Sequence, residues 1–279
     1  MRSIASRISV CIVSIVFISG CVTLSPFAVR QGAADKIAAL NGFEKSHIKT
    51  DHFILASYYR FKDPNKPLYI YIEGDGAAWI THTRLSDNPT PRNPLILELA
   101  ALDPADNIAY LARPGQYSSF GKPDCDPSYW SNRRFSEEVI TSMNQAIDYL
   151  CRKSGSRKVS LIGYSGGAAI AIIVASRRND IIELRTIAGN LDCEAVNRYH
   201  KVTSLEGSLN PIDFASSIAK IPQRHFVGSK DRIIPSFIAA SFVEKSGTKN
   251  KERITIAKGA THTTGWREKW PELLSLLVN

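Results

Sequence analysis

The chain has 279 residues, 44% hydrophobic and 22% charged, with 17 Gly and 14 Pro. This composition excludes collagen, coiled coil and wholesale disorder, and leaves room for one large α/β domain or two small ones. Lys and Arg exceed Asp and Glu by nine, but the excess is scattered with no run of four basic residues, so it does not read as a nucleic-acid footprint.

At the N-terminus, Arg2 and Arg7 form a positive region ahead of a charge-free, Ile/Val-rich stretch from Ile8 to Ser19. A bilayer span needs about 20 apolar residues, so this stretch suits the core of an export signal over residues 1–20. Ile18-Ser19-Gly20-Cys21 then resembles the lipobox of bacterial lipoproteins. The resemblance implies cleavage before Cys21, a diacylglycerol on its thiol, a third acyl chain on its amine and stable membrane anchoring. Val22 stands where an Asp would retain such a protein at the inner membrane, which implies the outer membrane, facing the periplasm. A plain signal with a chance cysteine is the alternative. The basic surface of a tethered protein suits anionic headgroups. Residues 21–51 follow as tether and N-terminal segment, with Ser25 to Ala34 as the tether proper. Cys11 leaves with the signal; Cys125, Cys151 and Cys193 remain, and an oxidising periplasm allows one bridge among them.

From residue 52 to 279 strand and helix signals alternate. The predicted strands are His52–Arg60, Leu68–Glu73, Asn107–Ala112, Lys158–Gly163, Leu184–Ala188, His225–Gly228 and Arg253–Ala257. Several are continuous apolar runs, such as Leu68-Tyr69-Ile70-Tyr71-Ile72, as in parallel strands covered on both faces. In Ser136–Arg152 the apolar residues Val139, Met143, Ala146, Ile147 and Leu150 mark one helix face. Ser165–Arg178 and Arg267–Val278 read as further helices. The pattern predicts one three-layer α/β domain with a mostly parallel sheet, carrying insertions at 113–133 and 189–222 that follow strand C-termini, where open α/β sheets place ligands.

Gly163-Tyr164-Ser165-Gly166-Gly167 lies between a buried strand and a helix rich in small residues. That is the G-x-S-x-G elbow in the strand–turn–helix setting it requires, with Ser165 as candidate nucleophile. Here the chain resembles the α/β-hydrolase superfamily, from about Phe53 to the C-terminus. The resemblance implies the order Ser, acid, His. His262, between the last strand and last helix, is the candidate base. His225 reads as a core histidine within a strand, and His200 lies in the second insertion. Asp231 follows the His225–Gly228 strand as Gly-x-x-Asp before two aliphatic residues and Pro, and is the favoured acid; Asp192, after the preceding strand, is its rival. His262 would take the Ser165 proton, and Asp231 would hold the imidazole.

The oxyanion donors would be the backbone N–H of Gly166 and that of Asp75, in Glu73-Gly74-Asp75-Gly76, which resembles the family's His-Gly-Gly-Gly loop with Glu73 and Asp75 as departures. A carboxylate at Asp75 would repel a developing anion unless it points away or pairs with a base. Trp79, Tyr117, Tyr129, Trp130 and Tyr164 could line an acyl pocket, but packing or loop anchoring is the favoured reading of each. Ala112-Arg113-Pro114, Arg134-Phe135-Ser136-Glu137-Glu138-Val139, Ala188-Gly189-Asn190-Leu191-Asp192 and Ser208-Leu209-Asn210-Pro211 further resemble a group of bacterial α/β-hydrolase lipoproteins, in which light Asn190 and Asp192 read as ties across the sheet top. The expected function is a membrane-anchored serine hydrolase of an ester or thioester, without metal or cofactor, acting on a small acyl substrate. A lipase, peptidase or acyltransferase on the same residues, or a non-catalytic binding lipoprotein, are the alternatives.

Overall fold

The computed structural model describes residues 26–81, 83–118, 124–247 and 253–278. The expected export signal and Cys21 lie outside the described residues. Eight strands, β1 (Glu44–Lys49), β2 (Ile54–Arg60), β3 (Leu68–Ile72), β4 (Asn107–Leu111), β5 (Val159–Tyr164), β6 (Ile181–Ile187), β7 (Gln223–Gly228) and β8 (Ile254–Ala257), form one sheet in the order β1-β2-β4-β3-β5-β6-β7-β8. β2 pairs antiparallel with both of its neighbours, β1 and β4. From β4 to β8 every pairing is parallel.

The parallel strands are apolar on both faces because both are covered. On one side, Leu68, Ile70, Ile72, Ala109 and Leu111 pack with α3 (Glu137–Ser154), α4 (Gly166–Ala175) and α6 (Ser236–Lys245). On the other, Tyr71, Ile108 and Tyr110 pack with α1 (Pro26–Leu40), α2 (Leu95–Leu102) and α7 (Trp270–Ser275). α5 (Cys193–His200) lies in the segment between β6 and β7. The architecture is the three-layer α/β fold that the alternating pattern predicts. α3 buries the expected stripe, starts after Ser136 and stops at Gly155, whose φ of 76° is the left-handed cap that glycine adopts without strain.

Several elements depart from the sequence reading. The expected tether, Ser25 to Ala34, instead runs into a helix, α1, opened by a proline that tolerates the first turn. Only Ala34 and Ala38 of α1 are buried, so no wide apolar stripe announces it. Polar contacts fix it: Gln31 Nε2 donates to Tyr58 Oη at 2.9 Å, and Tyr58 Oη donates to Asp35 at 2.7 Å. β1 is a charged edge strand with Ile48 alone buried. α2 is almost wholly apolar and sits between α1 and the sheet, so it shows no periodicity. The second expected insertion, 189–222, is not a bare loop, for it carries α5 and a 3₁₀ turn at Pro211–Phe214. Cys125, Cys151 and Cys193 are all unbridged; burial pushes the Cys193 thiol up to about 12, a structural rather than reactive setting. Among the described residues, no helix is long and apolar enough to cross a membrane.

Candidate active site

β5 ends at Tyr164, Ser165 turns the chain, and α4 begins at Gly166. Ser165 sits at φ 51° and ψ −119°, a conformation that costs a non-glycine residue about 1–3 kcal/mol and persists only where its surroundings impose it. They do so here by hydrogen bonds on both sides. Ser165 N–H donates to Ile187 at 3.0 Å, and its carbonyl accepts from Ala168 at 3.1 Å and Asn190 at 3.0 Å. Glycine is required around it by close approach. A Cβ on Gly163 would strike the Gly167–Ala168 backbone, and one on Gly167 would strike the Ile72 and Glu73 carbonyls.

His262 follows β8 and Asp231 follows β7, and the two loops are stitched together. Lys230 N–H donates to Ala260 at 2.9 Å, Ser229 N–H to Ala257 at 3.1 Å and Gly259 N–H to Ser229 Oγ at 2.8 Å. The His262 carbonyl accepts from Tyr164 Oη at 3.0 Å and Trp266 Nε1 at 3.1 Å. Asp231 Oδ1 accepts from the Ile233 and Ile234 N–H groups at 2.8 and 2.9 Å. Its Oδ2 lies 2.9 Å from His262 Nδ1, and His262 Nε2 lies 3.1 Å from Ser165 Oγ. An ionised carboxylate only accepts, so the proton belongs on Nδ1 and leaves Nε2 free to accept from the serine hydroxyl. The three side chains expected from sequence therefore stand in one hydrogen-bonded row.

Asp192, the rival acid, is occupied elsewhere. It caps α5 by accepting from Ala195 N–H at 3.0 Å and takes Asn210 Nδ2 at 3.1 Å. His225 is a core residue: it is buried, sits 2.9 Å from Thr186 Oγ1, and is pushed down to about 3 by burial, hence neutral. His200 is exposed and donates to the Ile233 carbonyl at 2.7 Å.

The loop after β3 answers the question posed by the Asp75 carboxylate. Asp75 is ion-paired to the buried Arg113, and Arg134 Nε stands 3.3 Å from its other oxygen. Burial would raise this carboxyl, but the Arg134 and Arg113 charges outweigh it and hold it below the ordinary carboxylate range. Both guanidiniums stack on Phe135, 5.1 and 5.3 Å from its centroid, and Arg113 also donates to the Arg134 carbonyl. Gln116 braces the same loop. Its Nε2 donates to the Gly74 carbonyl at 3.0 Å, and its Oε1 accepts from Arg113 N–H at 3.0 Å. The carboxylate lies against Gly166, where any Cβ would collide with it and with Arg113. Gly166 N–H, first in α4, is among the donors a helix start leaves without an intrahelical partner. Among the described residues no acceptor is found for the Asp75 N–H.

Beneath this loop Glu73 is buried, accepting from Tyr110 Oη at 3.0 Å and Gly74 N–H at 2.8 Å, and burial pushes its carboxyl up to about 7. Sequence reasoning missed the Arg113–Arg134 pairing and this burial. The only signal was that both arginines fall in the segments that resemble bacterial lipoproteins. Of the aromatic candidates, Tyr117 and Trp130 are buried in packing, and Tyr129 stands edge-on to Phe53. Tyr164 touches the site, its ring 5.3 Å from the imidazole, and Trp79 is exposed.

No protein-family model matches the chain, and no curated protein matches it in sequence. Solved structures do match it in shape. An α/β serine hydrolase homologue from Coxiella burnetii is 18% identical, with a TM-score of 0.56 over 82% of this chain and 93% of that one. An esterase from Pyrococcus furiosus is 15% identical, with a TM-score of 0.56 over 83% and 89%. A bacterial membrane phospholipase A is 14% identical, with a TM-score of 0.58 over 90% of both chains. The sheet order, the single antiparallel strand β2 and these likenesses agree: the chain has the α/β-hydrolase fold.

Proposed function

We propose that the protein is a serine hydrolase that cleaves a carboxylic ester through an acyl-enzyme on Ser165. The observation that carries this reading is the unbroken row from Ser165 Oγ through His262 to Asp231, set on a strained elbow. Ser165 Oγ attacks the ester carbonyl carbon while His262 Nε2 takes the hydroxyl proton. Asp231 holds the imidazole orientation and stabilises the imidazolium. The N–H groups of Gly166 and Asp75 receive the negative charge that develops on the carbonyl oxygen. The bond to the leaving alcohol then breaks, and that oxygen takes the proton from Nε2. A water molecule, deprotonated by the same nitrogen, attacks the acyl carbon, and the carboxylic acid leaves as Ser165 regains its proton.

Two of the similar proteins, an esterase and a phospholipase A, support an ester as the bond cut. The lipobox-like Ile18-Ser19-Gly20-Cys21 supports an acylated Cys21 and residence at the outer membrane, facing the periplasm. Fluorophosphonate labelling tests the central claim. Wild type becomes labelled and Ser165→Ala does not; equal labelling of the two, or none of wild type, overturns it. Mass analysis of the N-terminal peptide, with Cys21→Ser as control, tests the anchor.

A further inference from the structure

Three large apolar side chains stand together on the surface at the C-terminal edge of the sheet. Tyr199 belongs to the end of α5, Ile233 to the Asp231 loop, and Phe237 to the start of α6; each is between 46% and 50% exposed. The rings of Tyr199 and Phe237 are 5.9 Å apart, and His200 Nε2 donates to the Ile233 carbonyl, closing α5 onto the loop. The cluster is continuous with the site, because the Ile233 N–H that it carries is one of the two donors to Asp231. Scattered exposed apolar residues need no explanation, but a contiguous group marks a surface that is covered in use.

The charges around it indicate by what. Within residues 194–202 and 229–237 the exposed charges are Arg198, Lys201, Lys230 and Arg232 against Glu194 alone, since Asp231 is buried and turned to His262. The Arg198–Glu194 contact, at 3.6 Å between two side chains that are each about two-thirds exposed, is a solvated pair of little strength. Apolar and tyrosine side chains fringed by cations match an interface whose outer layer is anionic and whose depth is hydrocarbon.

We propose that this patch seats the protein on a bilayer containing anionic phospholipid, with the site mouth beside it, so that the ester it cleaves is drawn from the membrane. The proposal rests on the reading of Ser165 as nucleophile for the cleavage but not for the docking. It is also separate from the anchor, which would tether the chain without orienting it.

The test uses the chain from residue 21, which contains every described residue, with Cys21→Ser so that no acyl chain contributes. Flotation with phosphatidylcholine vesicles containing phosphatidylglycerol gives a Kd independent of turnover. Tyr199→Ser with Phe237→Ser is expected to weaken it about tenfold, and Arg198→Glu with Lys201→Glu by at least as much, at about fivefold per charge removed. Salt, or vesicles of phosphatidylcholine alone, weaken the wild type. Hydrolysis of a soluble short-chain ester stays unchanged in both variants, while the apparent KM for a vesicle-embedded ester rises. Vesicle affinity that neither variant changes overturns the proposal. So does a wild-type dimer that the variants convert to monomer, which would make the patch an interface between copies. Flotation that responds as expected in a protein that hydrolyses neither ester keeps the docking and discards the hydrolase reading.

Discussion

Ser165 and Asp75 stand on either side of Gly166, and the chain holds them there by different physics. The serine is positioned by backbone alone. It takes a strained turn between β5 and α4, hydrogen bonds to Ile187, Ala168 and Asn190, and has glycines wherever another element comes close. The aspartate is positioned by side chains: two guanidiniums stacked on Phe135, an amide from Gln116 and a buried carboxylic acid beneath. A backbone device works with almost any charge state. A side-chain device made of one carboxylate and two arginines works only while the carboxylate stays paired. Asp75 thus supplies a negative charge where the proposed chemistry develops another, and Arg113 and Arg134 leave the cluster net positive.

The largest effect is expected on the backbone-held side. His262→Ala removes the acceptor for the Ser165 proton and should lower kcat by about 10⁴ to 10⁶, with KM little changed. Burst-phase ester kinetics would measure it. A loss below tenfold would mean that the row of hydrogen bonds is not the reacting one.

The next effect tests the pairing of Asp75. Arg113→Met leaves the Asp75 carboxylate with Arg134 alone beside the proposed oxyanion position, and kcat should fall by about 10² to 10³, the scale of losing one oxyanion donor. Asp75→Asn in the same background removes the carboxylate that has lost its buried partner and should recover about tenfold of that loss. If Arg113 were merely packing, the second change would restore nothing. Thermal melts of both variants separate loss of fold from loss of rate.

These two halves of the site were not equally legible. Ser165 is written in five consecutive residues. His262 and Asp231 follow from chain order and from strand ends that show as apolar runs. The clamp of Asp75, Arg113 and Arg134 is written nowhere locally, because its residues come from two connections, after β3 and after β4, and meet only when those strands pair. The fold divides the same way. Strands covered on both faces announce themselves as hydrophobic runs, whereas β1 buries Ile48 alone and α1 buries two alanines, so neither carries a period that one sequence can reveal. α2 hides for the opposite reason: in Leu95–Leu102 the sole polar residue is Glu98, and a uniform segment has no face.

A smaller effect comes from below the clamp. Glu73 has a carboxyl raised by burial to about 7 against an ordinary 4.5. A folded pKa above the unfolded one means that the native state binds the proton more tightly. The stability this contributes is present in full below about 4.5 and declines as pH rises toward 7, by about 3 kcal/mol. Glu73→Gln keeps the shape and an acceptor for Gly74 N–H but cannot titrate. Urea midpoints taken from about pH 4 to about pH 8 should therefore fall more steeply for wild type than for the variant. Parallel curves would show that Glu73 stays ionised throughout, and that its partners compensate its burial better than described above.

The smallest effect, at Asp192, set against a large one at Asp231, separates the two aspartates that compete for the role of acid. Asp192 follows β6 and Asp231 follows β7, and sequence order permits either. Only Asp231 reaches the imidazole, while Asp192 spends its Oδ1 on the start of α5 and on Asn210. Asp192→Ala should therefore cost about 1 kcal/mol of stability, as the loss of a helix cap does, and leave kcat untouched. Asp231→Asn, which misdirects the imidazole tautomer while keeping the side chain's shape, should lower kcat by up to about 10⁴. The pair of variants is more informative than either alone, because the caps and ties around Asp192 can only move stability. A rate effect at position 192 with none at 231 would require the 229–235 loop to let go of His262, against the hydrogen bonds that bind it to the base loop.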